Sequence, residues 1–189
     1  SPKAKGYGVM VVMNDEIHSA HAVKKMMSTP VQTFQSPDEG MIGTVIFGDV
    51  QLFHKPHGLN TTNSEFSIAG VKELPRVDIV YGCADMSTDL IDLMVLAGAK
   101  GIVIAGVGDG NMNAGTLEAA KKATKEGITV VRATRVPIGA VLINGEVNDK
   151  EYGTICADEL NPQKARVLLM LALLKKRSWE DMQKLFIEY

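Results

Sequence analysis

The polar side chains best placed for chemistry in this sequence are Asp109, Asn111 and Asn113, which follow closely on Gly106, Gly108 and Gly110. Upstream, Ile102, Val103 and Ile104 are β-branched and uninterrupted by charge, as expected of a strand covered on both faces in a parallel sheet. In open α/β sheets ligands bind beyond the carboxyl ends of the strands, and glycines there let backbone approach a ligand closely. Glycines between a strand and a helix raise dinucleotide binding, which the spacing rejects. Counting from Gly106 and Gly108 puts Asn111 where the third glycine is needed, and counting from Gly108 and Gly110 puts Asn113 there. The acidic residue expected near the end of the next strand is also missing, since Thr129 to Arg135 offers only Arg132 and Arg135 as charged residues. Nor does a Lys-Ser/Thr pair close a P-loop. No cofactor and no metal are expected.

The elements that must carry these residues form an α/β pattern. Val77 to Tyr81 reads as a strand, followed by a helix capped at Ser87, with Leu90, Leu93, Met94 and Ala97 on one face and Gly98 ending it. The strand Gly101 to Val107 is next, then a helix from Ala114 to Glu126 ending at Gly127, then a strand from Thr129 to Thr134, a βαβαβ unit with right-handed crossovers. Thr154 to Ala157 is a short further strand. Asn161 before Pro162 is an N-cap with proline at the first helical position, and Ala165, Leu168, Leu169 and Ala172 then share a face. Ser178 with Asp181 resembles a capping box ahead of Met182, Leu185, Phe186 and Tyr189 at helical spacing.

The first third of the chain is less regular. Gly8 to Met13 is an apolar strand closed by a turn at Asn14-Asp15, and such a strand normally has sheet partners on both sides. Residues 18 to 29, with His18, His21, Lys24 and Lys25, show no amphipathic spacing and read as a loop or short helix. Gly43 to Phe47 and Val50 to Phe53 read as a hairpin turning at Gly48-Asp49. From Lys55 to Pro75 periodicity is lost and turn residues gather. The expected organisation is thus residues 1–55 as an incomplete domain, 56–75 as a connection and 76–189 as a parallel-sheet domain.

Composition is that of an ordinary globular chain. The 189 residues are 46% hydrophobic and 22% charged, with a net charge of −2, enough apolar content for a sizeable core. Near-neutral charge and 5% aromatic content argue against a nucleic-acid partner. The longest apolar run, Val167 to Leu174, is far short of the roughly 20 residues that span a bilayer, and no membrane association is expected. Cys83 and Cys156 have no metal spacing and are expected to be buried free thiols.

Several motifs at consistent spacing carry a family resemblance. Gly106-Val-Gly-Asp-Gly-Asn111, Val131-Arg-Ala-Thr-Arg-Val-Pro137, Gly145-Glu-Val147 and Leu160-Asn-Pro-Gln-Lys-Ala-Arg-Val-Leu-Leu169 are similar to bacterial L-asparaginases of the high-affinity, exported type. Val11-Val-Met-Asn-Asp15, Thr33-Phe34, Ser36-Pro37 and Glu73-Leu-Pro75 extend the match through the chain in order. The resemblance implies an amidohydrolase converting L-asparagine to L-aspartate and ammonia, with slower action on glutamine. It implies a flavodoxin-like carboxyl-terminal domain preceded by part of the α/β amino-terminal domain, a homotetramer of close dimers, and a periplasmic location. The family's nucleophilic threonine lies in a Thr-Gly-Gly-Thr-Ile turn and a Thr-Asp pair in a His-Gly-Thr-Asp-Thr turn. Neither motif occurs in these residues, so a missing amino-terminal portion is expected.

Site positions carry across on the same resemblance. Lys25 falls on the active-site lysine, although Lys24, Met26 and Met27 replace the threonines and asparagine that usually flank it. Beside a hydroxyl nucleophile, a lysine made less basic by burial or a neighbouring cation can accept the transferred proton. Asn111 matches an asparagine that reaches the neighbouring subunit's substrate, and Asp109 stands where relatives usually have asparagine. Glu146 matches a glutamate that meets the substrate's α-ammonium. Taken alone, the Lys24-Lys25 pair reads as solvated surface, Asn111 as a residue capping the helix near Ala114, and Glu146 as an exposed loop residue. A tRNA-dependent amidotransferase subunit sharing the fold, and a non-catalytic fragment, are the alternatives.

Overall fold

Asn14 and Asp15, at φ 50° and 63°, turn strand β1 (Met10–Met13) directly into β2 (Glu16–Ser19), the two-residue geometry that matches strand twist. The computed structural model describes residues 1–189 and divides into two compact units, Ser1–Glu65 with Tyr189, and Phe66–Glu188. In the first unit, β3 (Lys24–Lys25) pairs with β4 (Phe34–Gln35), while β5 (Gly43–Ile46) and β6 (Asp49–Leu52) complete an antiparallel sheet in the order β1-β2-β5-β6. β1 is hydrogen-bonded to β2 alone and lies at the sheet edge, with Val12 exposed.

Two expectations for this unit are corrected. Residues 18 to 29 are mostly turn and loop, as expected, but they also hold the end of β2 and all of β3, which were not expected. Pairing of Ile17 with Gly43 and of Lys25 with Phe34 decides this, and such non-local partners leave no mark on local periodicity. The second hairpin turns at Phe47-Gly48, with φ 49° and 83°, one residue ahead of Gly48-Asp49, because Ile46 opposite Asp49 sets the register.

In the second unit β7 (Val77–Tyr81), α1 (Asp89–Leu96), β8 (Gly101–Gly106), α2 (Ala114–Lys125), β9 (Thr129–Thr134), α3 (Asp149–Tyr152), β10 (Ile155–Cys156), α4 (Pro162–Ala172) and α5 (Trp179–Glu188) follow one another. The four strands form a parallel sheet in the order β7-β8-β9-β10, and every residue of β8 is buried. On one face Ile102, Ile104, Val80 and Val130 pack with Ile91 of α1 and Ala119, Ala120 and Ala123 of α2. On the other, α4 lies over β7, β8 and β9. A Cβ at Gly101 would come 2.6 Å from Leu169 Cδ2, so this glycine allows α4 to sit close. No helix is long and apolar enough to cross a membrane.

The helix signals act as the sequence suggests in most places. The Asn161 side chain accepts from Lys164 N, Pro162 opens α4, and Ala165, Leu168, Leu169 and Ala172 are buried. Ser178 Oγ accepts from Asp181 N at 3.0 Å and donates to its carboxylate at 2.8 Å. α1 departs from expectation: Leu90, Leu93 and Ala97 are exposed, and Ile91 is its buried residue, supported by Met94 and Val95. Asp-Leu-Ile-Asp-Leu-Met-Val-Leu is apolar on two stripes, and the packing of the sheet, not the helix, chooses between them. Of the cysteines only Cys156 is buried; Cys83 is exposed, in the loop after β7 where no strand covers it. Burial pushes the Cys156 thiol up to about 11, as befits an inert core residue.

Phe47 is fully exposed yet holds φ 49°, so no burial offsets a left-handed conformation that costs an ordinary residue about 1–2 kcal/mol. Phe47→Asn creates the Asn-Gly pair that such a turn favours and should stabilise the chain by about 0.5–1 kcal/mol, read as a higher urea midpoint. A lower midpoint would show that Phe47 makes a contact worth more than the turn.

Candidate functional site

At the carboxyl end of β8 the chain folds back on itself. Val107 N donates to Asn111 O at 2.9 Å and Asn111 N to Val107 O at 2.8 Å, closing a small loop that contains Gly108 and Gly110 at φ 49° and 65°. A Cβ at Gly106 would stand 2.5 Å from Asn111 O and 2.6 Å from Gly110 C. The close approach that Gly106 permits is therefore to the turn's own backbone. Asn113 belongs to the helix: its Oδ1 accepts from Thr116 N at 2.8 Å, capping α2. That cap leaves Asn111 for other work, and its Oδ1 accepts from Met112 N at 2.7 Å.

A second loop, between β9 and α3, reaches the same edge. Val141 and Val147 are buried and anchor it, while Leu142, Ile143, Asn144, Gly145 and Glu146 between them are exposed. Its tip meets the glycine turn, where Asn111 Nδ2 donates to Glu146 Oε2 at 3.0 Å. Asp109 Oδ1 accepts from Leu142 N at 2.6 Å, a second tie between the two segments. Gly145 leaves room for the Asp109 carboxylate, which a Cβ there would strike.

Beneath both loops lies an ion pair that sequence reasoning missed. Arg132 of β9 is fully buried, and its Nε and Nη2 donate to Asp149 Oδ1 and Oδ2 at 2.6 and 2.8 Å. Its Nη1 also donates to Asp109 O at 2.9 Å and its Nη2 to Leu142 O at 3.0 Å, so one guanidinium holds backbone of both segments. Asp149, buried too, accepts from Asn144 N at 2.9 Å and Thr154 Oγ1 at 2.7 Å. Burial opposes the charge on Arg132, but hydrogen bonding to and attraction from Asp149 outweigh it, and the arginine is held above its ordinary range. An arginine inside Val130-Val131-Arg132-Ala133 was the available signal, because a charge within a covered strand must find a partner.

Lys25 belongs to the other compact unit. Alternation along β3 turns Lys24 inward, where its Nζ is 2.6 Å from Asp38 Oδ2, and leaves Lys25 exposed opposite Phe34. Only one of the two lysines is therefore solvated surface. In the same unit His18 is buried with Nδ1 3.0 Å from Ser36 Oγ, and His21 Nδ1 is 2.7 Å from Glu39 Oε1. The second unit thus joins Asn111 and Glu146 into one polar corner that can accept a cation and donate an amide N–H.

Comparison with known proteins agrees with this architecture. Residues 76–186 match the glutaminase/asparaginase C-terminal domain and residues 1–58 the N-terminal asparaginase domain. The chain is 42% identical over 189 residues to L-asparaginase 2 of Bacillus subtilis (all of this chain, 50% of that protein). It is 40% identical over 187 residues to the probable periplasmic L-asparaginase of Haemophilus influenzae (99% of this chain, 54% of that protein). It is likewise 40% identical over 190 residues to the glutaminase-asparaginase of Pseudomonas fluorescens biotype A (all of this chain, 52% of that protein). The chain spans about half the length of the curated relatives it matches. With its carboxyl-terminal family domain covering most of the residues, and that domain's sheet, turn and loop in place, the chain belongs to the glutaminase/asparaginase family.

Proposed function

We propose that the chain is the carboxyl-terminal portion of an L-asparaginase, hydrolysing L-asparagine to L-aspartate and ammonia with slower action on L-glutamine. One observation carries the reading. Asn111 and Glu146, which the resemblance matches separately to substrate contacts, lie 35 residues apart in sequence yet share a 3.0 Å hydrogen bond at the carboxyl edge of the sheet. The names of the relatives, L-asparaginase and glutaminase-asparaginase, support the same chemistry.

In this reading Glu146 receives the substrate's α-ammonium. A carboxylate has about four lone-pair directions, so accepting from Asn111 leaves capacity for an ammonium, whose hydrogen bond to an anion is about twice as strong as a neutral one. Asn111 orients the carboxylate. Both serve the substrate of a neighbouring subunit in a tetramer of close dimers, and exposed Leu142 and Ile143 beside Glu146 suit an edge that meets another chain. Residues 1–55 complete an amino-terminal domain, 56–75 connect, and 76–189 form the carboxyl-terminal domain. Lys25 takes up the proton from a hydroxyl nucleophile supplied by a part of the family's length that these residues do not span. The periplasm is the proposed location, as the name of the Haemophilus influenzae relative suggests.

Purified 189-residue chain should release no ammonia from asparagine alone, and should do so when co-expressed with a polypeptide carrying Thr-Gly-Gly-Thr-Ile and His-Gly-Thr-Asp-Thr. Clear turnover by the chain alone would require another nucleophile and overturn the assignment. In the active assembly, Lys25→Met should lower kcat at least about a hundredfold, the loss expected for a general acid/base group. Near-native kcat would remove Lys25 from the chemistry.

A further inference from the structure

We propose that Arg132, which hydrogen-bonds to neither Asn111 nor Glu146, is the positioning residue that holds them in register. The inference rests on reading that pair as substrate-binding groups. An exposed hydrogen bond between an asparagine and a glutamate on two loops is weak by itself, because water competes for both partners. What keeps the loops apposed lies below them. Arg132 donates to Asp109 O, two residues before Asn111, and to Leu142 O, four residues before Glu146. Asp149 fixes the orientation of the guanidinium through paired bonds at 2.6 and 2.8 Å, accepts from Asn144 N two residues before Glu146, and itself opens α3 where the Glu146 loop ends. The loop's ends are thus tied to the same ion pair that holds the glycine turn.

The residue type matters as well as the charge. A guanidinium presents a planar fork of donors, enough to meet a carboxylate on one edge and carbonyls on the others at once, whereas a lysine ammonium is a point charge. Gly110 belongs to the same arrangement, since a Cβ there would stand 3.0 Å from Arg132 Nη1. A buried pair can be replaced by apolar residues without loss of stability, while removal of one partner is strongly destabilising. Structure and positioning can therefore be separated. The double variant Arg132→Met with Asp149→Leu removes the clamp while avoiding an unpaired buried charge.

The test reads the Asn111 side-chain amide by NMR in the 189-residue chain. In the parent, Glu146→Gln should shift that resonance, because the two groups are hydrogen-bonded. In the Arg132→Met, Asp149→Leu background, with a urea midpoint near the parent's, the same change should leave it unmoved. Should the double variant not fold, Arg132→Lys, which keeps a charge for Asp149 but loses the fork, takes its place and should give the same loss. A shift of parental size in the folded variant would overturn the proposal. In the active assembly, the folded variant should raise KM for asparagine at least about tenfold, the equivalent of one charge-assisted hydrogen bond, with kcat little changed. Loss of the NMR coupling with unchanged KM would sustain the positioning role and overturn instead the reading of Asn111 and Glu146 as substrate groups.

Discussion

The buried Arg132–Asp149 pair is the constraint on which the working edge of the second unit depends. Both side chains are fully removed from solvent, and each would be costly there alone. The pair is tolerable because its remaining hydrogen-bonding capacity is used: the guanidinium reaches carbonyls of Asp109 and Leu142, and the carboxylate accepts from Asn144 N and Thr154 Oγ1. Satisfying a buried charge and fixing two surface loops are here the same set of bonds. The partners that satisfy the arginine buried in β9 and its aspartate include the backbone of both loops.

The apolar frame makes that burial available. β8 is buried from Gly101 to Gly106, with α1 and α2 on one side and α4 on the other, so the ends of β8 and β9 are held on a rigid support. Glycines appear where the frame must admit close neighbours: Gly101 admits Leu169 of α4, and Gly106 admits the returning turn. Substrate-binding groups set on such a support need only short loops to be placed reproducibly. The carboxyl-terminal family domain spans residues 76–186 and so includes this corner.

How much of this was legible depended on whether the cause was local. The Asn161-Pro162 start of α4 and the strands Val77–Tyr81 and Thr129–Thr134 are written in neighbouring residues, and the observed elements begin and end as read. β2 and β3 were not legible, because their partners lie elsewhere in the chain. α1 has two apolar stripes, and packing alone selects Ile91. At the site, the glycine turn and its polar residues were visible, but the roles divided only in three dimensions. Asn113 caps α2, Asp109 ties down Leu142, and Asn111 meets Glu146. Arg132 was in plain sight within an apolar strand, yet its partner lies 17 residues on, beyond a loop with no periodic pattern.

The central claim is that the Asn111–Glu146 corner recognises the α-ammonium of an amino-acid amide. The most direct measurement compares, in the active assembly, the binding of asparagine with that of succinamic acid, which is asparagine without its α-amino group, before and after Glu146→Gln. The substitution should weaken asparagine by about 1.5–3 kcal/mol and leave succinamic acid unchanged. Equal weakening of both compounds, or of neither, would contradict it.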